Sequence, residues 1–145
     1  MRAVVQRINS CKLSVEGREV SSCGFGYLVL VGFTQGDSEK KADYIVNRIV
    51  NMRIFRDGEG KLNLALKDVG GQVMCVSNFT IYADPTTGRR PDFSHALAHE
   101  EAVGLYNYTV KKFRELVGGC AEGVFGEHMH LESDLDGPVT VIFEK

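Results

Sequence analysis

The sequence predicts an α/β fold in a single domain, residues 1–145, with mixed and antiparallel sheets forming a partly open barrel and two main helices. Three observations predict it. Short apolar, β-branched runs bounded by glycine and polar turns recur along the chain and read as strands. Two longer stretches, about 39–52 and 96–117, carry apolar residues at helical spacing. No internal repeat, linker or low-complexity segment divides the 145 residues, a length that buries about two thirds of its unfolded surface.

In chain order, Met1–Asn9 reads as a strand through Ala3, Val4, Val5 and Ile8. Cys11–Val15 and Arg18–Ser22 form a hairpin around Glu16-Gly17. The continuous apolar run Gly26–Phe33 is a central strand. Gly36-Asp37-Ser38 supplies a turn and an N-cap for a helix from about Glu39 to Met52, with Ala42, Ile45, Ile49 and Met52 buried. Arg53–Phe55 returns as strand, Asp57–Gly60 loops, and Leu62, Leu64 and Leu66 alternate toward the turn at Gly70-Gly71. Gln72–Ala83 is a buried strand that turns polar midway, and Asp84–Phe93 is loop by composition. A second helix runs from about Ala96 to Val117, with Leu97, Leu105, Tyr106, Thr109, Phe113 and Leu116 on one face; Gly118-Gly119 ends it. Ala121–Phe125, His128–Leu131 and Val139–Glu144 follow as short strands.

Composition narrows the function classes. The chain is 43% hydrophobic and 25% charged, ordinary for a globular protein, and its net charge of −2 leaves no global footprint for nucleic acid. Any RNA contact must be local: Arg89-Arg90 in the loop, or Lys111, Lys112 and Arg114, whose alternative is a solvated helix face. The four scattered cysteines contain no CxxC pair, and no apolar run approaches the ~18 residues of a membrane helix. A cytoplasmic protein with reduced thiols is the expectation, with Cys75 a small core residue.

The chemistry concentrates in two places. In Gln72–Ala83, the run Val73-Met74-Cys75-Val76 gives way to Ser77, Asn78 and Thr80, with Phe79 and Ile81 between them. Buried polar groups cost about 1–3 kcal/mol each when unpaired, so these are either a satisfied strand end or groups aimed at a ligand. Near the other terminus, Gly137-Pro138 opens the last strand, followed by Val139 and Thr140. Proline lacks the N–H of a ladder and belongs at a strand's first residue, and a Gly–Pro there is either a plain turn or a device that presents two carbonyls in fixed geometry.

Conventional catalytic machinery is missing. There is no G-x-S-x-G elbow and no nucleotide-binding loop. His95 with His99, and His128 with His130, have spacings that place each pair on one face, yet no HExxH or catalytic carboxylate accompanies them, so no metal and no cofactor are expected.

MRAVVQR at the start, KDVGG, SNFTIYAD, GRRPDF, the FG-x-x-M of Phe125–Met129 and DGPVT occur in an order that resembles the D-aminoacyl-tRNA deacylase (D-tyrosyl-tRNA deacylase) family over essentially the whole chain. The resemblance implies a homodimeric, proofreading ester hydrolase acting on the 3′ acceptor end of D-aminoacyl-tRNA and of mischarged glycyl-tRNA, with no DNA or membrane partner. It implies that Ser77, Asn78, Phe79 and Thr80 form the catalytic segment, with RNA-assisted chemistry; Thr80, the natural nucleophile suspect, is read here as a positioning hydroxyl instead. It implies that Gly137-Pro138, cis and donated by the partner subunit, rejects L-amino acids. Supporting roles fall to Arg7 (a brace under Gly–Pro, or a surface arginine), Met129 (packing), Val139 and Thr140, with Arg89 and Arg90 on RNA. Two departures stand out: Asn78 where the family has Gln, and Leu135 where it has Asn. The alternative is a catalytically impaired homologue that only binds the tRNA end.

Overall fold

The computed structural model describes residues 1–86 and 88–145; Thr87, within the predicted 84–93 loop, lies outside them. Its organising element is β1 (Arg2–Val15), which pairs along one side with β3 (Gly26–Gly32) through residues 2–8 and with β2 (Arg18–Cys23) through residues 11–15. The other side of β1 pairs along its length with β8 (Met129–Glu144). β3 pairs in parallel with β6 (Gln72–Ser77), and β6 in parallel with β7 (Ala121–Glu122). The resulting order β2-β1-β3-β6-β7 curls until its ends approach, where the Ser21 hydroxyl donates to the Glu122 carbonyl at 2.7 Å. A separate small hairpin joins β4 (Phe55–Arg56) to β5 (Leu62–Leu64). The mixed sheet, partly open barrel and two helices therefore match the expectation.

Register sorts the side chains into two cores. Ala3 and Val5 of β1 share a face with Val29 and Val31 of β3 and with Val73 and Cys75 of β6. Against that face pack α1 (Glu39–Val50) through Ala42, Ile45 and Ile49, and α2 (His99–Val117) through Tyr106, Val110 and Phe113. The opposite face turns into the barrel, where Ile8, Leu13, Leu28, Met74 and Val76 meet Met129 and Leu131. Burial of each such large apolar side chain contributes about 1.5–3 kcal/mol.

Several boundaries differ from those the sequence predicts. The predicted strands 1–9 and 11–15 are one, because β1 is held on both edges and continues past its exposed residues Asn9 and Ser10. The predicted strands 128–131 and 139–144 are likewise one, the exposed stretch Glu132–Leu135 staying extended by pairing with β1. The predicted strand Gln72–Ala83 stops at Ser77, and Phe79–Tyr82 forms a 3-10 turn. Leu66 opens another 3-10 turn instead of extending an alternating strand, and only Ala121–Glu122 of 121–125 is strand. The second helix begins at His99 rather than Ala96, because the Leu97 N–H is tied to the Phe33 carbonyl at 2.8 Å. Its buried face includes Ala102 and Val110, whereas Leu116 is 44% exposed. In α1, Val46 and Val50 complete the buried stripe where Met52 was expected. Ser38 occupies the N-cap position, but its side chain makes no capping bond. The left-handed Gly118 ends α2, its N–H reaching the Arg114 carbonyl at 3.0 Å.

Candidate active site

β6 ends where its polar residues begin. Ser77 lies in register with Val31 of β3, and the next N–H, of Asn78, donates to the Val31 carbonyl at 2.7 Å. Asn78 is extended and caps the 3-10 turn: its Oδ1 accepts from the Thr80 N–H at 3.1 Å and from the Thr80 hydroxyl at 2.5 Å. The turn presses on β3 at Gly32, where a Cβ would stand 2.7 Å from the Ile81 side chain and 2.9 Å from the Asn78 carbonyl. Of the three N–H groups at residues 78–80, two are thus engaged. Among the described residues, nothing accepts from the Phe79 N–H.

This segment forms one wall of a pocket of about 860 Å³ at the barrel mouth. Leu28, Leu30 and Val76 continue the barrel interior into it, and Met129 and Leu131 of β8 close the far side. Phe79, 57% exposed, stands at the rim with Phe93 edge-on at 5.1 Å. Phe93 is delivered by the 84–93 loop, whose stem is the reciprocal pair of backbone hydrogen bonds between Asp84 and Asp92, at 2.7 and 2.9 Å. The carboxyls of Asp84 and Asp92 are held below the ordinary carboxylate range by hydrogen bonds from Thr86 and Ser94 respectively. Arg89 and Arg90 sit exposed on this loop. On the opposite rim, His99 meets the Phe125 ring edge-on at 5.0 Å. Behind it, the Tyr106 hydroxyl ties the Cys75 carbonyl (2.9 Å) to the Gly123 N–H (3.1 Å).

Among the described residues, no histidine or carboxylate is hydrogen-bonded to Ser77 or Thr80. Cys75 is fully buried and its thiol is pushed well above its usual range by desolvation, so it is core, as expected. Among the described residues, no three His, Cys, Asp or Glu side chains are grouped to hold a metal ion. The pocket offers a free backbone donor, hydroxyls, an apolar floor and aromatic rims.

The Gly137–Pro138 peptide bond is cis and lies in an exposed bulge of β8, between the register pairs Ile8↔Leu135 and Gln6↔Thr140. Gly137 has φ 127°, and a Cβ there would stand 2.7 Å from the Val139 nitrogen and 2.8 Å from its Cγ2. Beneath it Arg7 is 4% exposed, so the surface-arginine alternative is overturned. The row of register partners through Ser77 crosses Val31, Ala3 and Phe143, reaching β8 six residues beyond Gly137. With strands ~4.8 Å apart and ~3.3 Å per residue, the Gly–Pro turn is on the order of 20 Å from the Ser77–Thr80 segment of the same chain.

The family model described as D-Tyr-tRNA(Tyr) deacylase matches residues 4–144. The chain belongs to that family. A protein of Caldicellulosiruptor bescii named D-aminoacyl-tRNA deacylase is 46% identical over 144 residues, covering 99% of this chain and 97% of that protein. One of Carboxydothermus hydrogenoformans with the same name is 45% identical, covering 99% of each. Among solved structures, one titled c-Myc DNA Unwinding Element Binding Protein superposes with a TM-score of 0.93 at 34% identity, covering 100% of this chain and 99% of that one. Another, titled a probable eukaryotic D-amino acid tRNA deacylase, shares the fold with a TM-score of 0.85 at 17% identity, covering 98% and 97%.

On this deacylase-family chain the structure gathers Ser77, Asn78, Phe79 and Thr80 at one pocket and leaves Gly137, Pro138, Val139 and Thr140 outside its lining, in the middle of β8. Met129 packs in the barrel core and lines the pocket. Lys111, Lys112 and Arg114 are engaged with Glu115, Asp43 and Glu122, the solvated helix face that is the alternative to an RNA contact. Sequence reasoning missed Phe93 and His99 at the rim and Asp136, which pairs with Arg7 at 2.7 Å. Phe93 stood at the end of the quoted GRRPDF motif; nothing local in the sequence marks the Asp136–Arg7 pair.

Proposed function

We propose that this protein hydrolyses the ester of D-aminoacyl-tRNA, and of mischarged glycyl-tRNA, releasing tRNA and the free amino acid as a proofreading step in translation. The observation that carries the reading is the seating of the Ser77–Thr80 segment at the mouth of an apolar pocket with one uncommitted main-chain donor, the Phe79 N–H. An aminoacyl ester is already activated and carries a neighbouring ribose 2′-hydroxyl, so positioning plus a donor aimed at the developing oxyanion suffices. One such donor is worth about 2.7–4 kcal/mol of barrier. Thr80, its hydroxyl donating to Asn78 Oδ1, positions the substrate.

The working unit is a homodimer. Val4, Leu30 and Ile142 are cross-strand neighbours on the sheet face away from the helices, and Ile142 is 64% exposed. That face runs from the Gly137–Pro138 turn toward the Ser77–Thr80 pocket. A twofold axis through it sets each turn against the partner's pocket, where rigid main chain obstructs the L substituent. Arg89 and Arg90 grip acceptor-end phosphates. The partner nucleic acid is RNA rather than DNA, no cofactor takes part, and the site of action is the cytoplasm; among the described residues no helix is long and apolar enough to cross a membrane.

Incubation with D-Tyr-tRNA and L-Tyr-tRNA, with and without chelator and with excess duplex DNA, tests the reading. Loss of the D-ester alone, indifferent to chelator and DNA, is expected. Retention of tRNA without release would mark an impaired binding homologue, and chelator-sensitive loss would mark a metal hydrolase.

A further inference from the structure

The sheet ladder fails where the selector turn is held. Between Ile8↔Leu135 and Gln6↔Thr140, residues 136–139 of β8 face the single residue Arg7 of β1, so cross-strand pairing does not fix them. Something else must. The Arg7 guanidinium is anchored to the core by its Nη1, which donates to the Ile54 carbonyl at 2.6 Å. Its Nε lies 2.7 Å from Asp136 Oδ2, an ion pair rather than an aligned hydrogen bond, and its Nη2 would stand 3.6 Å from a Cβ on Gly137. Arg7 is 4% exposed and Asp136 35%. A buried guanidinium deprived of its carboxylate is strongly disfavoured, so the pair resists displacement of residue 136, next to Gly137. The neighbouring Leu135 has no side-chain hydrogen bond to offer.

We propose that Asp136 is a positioning residue for the Gly137–Pro138 turn, acting through Arg7, and thereby sets the discrimination between mirror-image aminoacyl esters. The proposal rests on the reading of that turn as the selector. In the homodimer the turn obstructs the L substituent and donates nothing to the ester, so loosening it alters which ester is admitted more than how fast the admitted ester is cleaved.

The test uses the full-length protein with Asp136→Asn, and with Asp136→Glu, which keeps the charge but moves it by one methylene. Rates on D-Tyr-tRNA and L-Tyr-tRNA are measured well below each Tm, with the Gly137 amide resonance followed by NMR. D-ester turnover within about threefold of wild type and L-ester turnover raised roughly tenfold or more in Asp136→Asn, less in Asp136→Glu, are expected. The Gly137 resonance broadens or shifts in the same order. A D-to-L ratio within about twofold of wild type in both variants, or a parallel fall of both esters, overturns the proposal. If wild-type protein leaves the D-ester intact, the deacylase reading fails; the Gly137 resonance then decides the clamp, broadening supporting it and an unmoved signal overturning it.

Discussion

The Asn78 side-chain carbonyl accepts both the N–H and the hydroxyl of Thr80, at 3.1 and 2.5 Å. One methylene shorter than Gln, it serves as the cap of its own turn and engages both Thr80 donors, which supports the reading of Thr80 as a positioning hydroxyl. Thr80→Val should therefore lower turnover of D-Tyr-tRNA by less than roughly tenfold, against the roughly ten-thousand-fold or greater loss of removing a true nucleophile. Asn78→Ala should lower stability by about 0.5–2 kcal/mol, the cost of a lost cap, and slow turnover more than Thr80→Val does. Single-turnover rates and urea melts check both.

Gly137 has no room for a side chain. Gly137→Ala places a Cβ 2.7 Å from the Val139 nitrogen at a φ of 127°, a strain of about 1–3 kcal/mol. The turn is exposed, so the fold should survive with a lowered Tm, while the ratio of D- to L-ester hydrolysis collapses.

Ile142 tests the dimer. A glutamate at Ile142 puts a charge in the proposed twofold face, where an unpaired buried charge is costly. Sedimentation should show monomer, and D-ester hydrolysis should fall with the dimer population.

Arg89→Ala and Arg90→Ala should raise KM for aminoacyl-tRNA and leave kcat within about twofold. Each lost phosphate contact should reduce the slope of log affinity against log salt by about 0.7–0.9.

The thiols give a pH dependence of stability. Desolvation pushes Cys11 up to about 11 and Cys120 up to about 12, with Cys23 raised and Cys75 well raised for the same reason. The unfolded chain ionises its thiols near pH ~8.5–9, so above that it binds fewer protons than the folded protein and stability falls as pH rises. Urea midpoints should hold between pH 7 and 8 and decline above 9. Native protein should resist iodoacetamide at pH 8.

The sequence was most legible where a local pattern carried the information. Gly26–Gly32 and the start of β6 announced themselves as unbroken apolar runs, and the Ser77–Thr80 segment as a polar interruption of one. Element lengths were less legible. β1 and β8 are long because each stays paired across its polar residues, and pairing partners are invisible to periodicity. Asn78 ended its strand by capping a turn, which a β-type reading of Phe79 and Ile81 hid. The Asp136–Arg7 pair joins residues at opposite ends of the chain, and only the β1–β8 register brings them together.

A crystal structure with a non-hydrolysable D-aminoacyl-adenosine analogue tests the composite site most directly. The account predicts the amino-acid moiety between the Phe79 N–H of one protomer and the Gly137–Pro138 turn of the partner subunit. Ligand bound at the pocket with both copies of that turn facing solvent would contradict it.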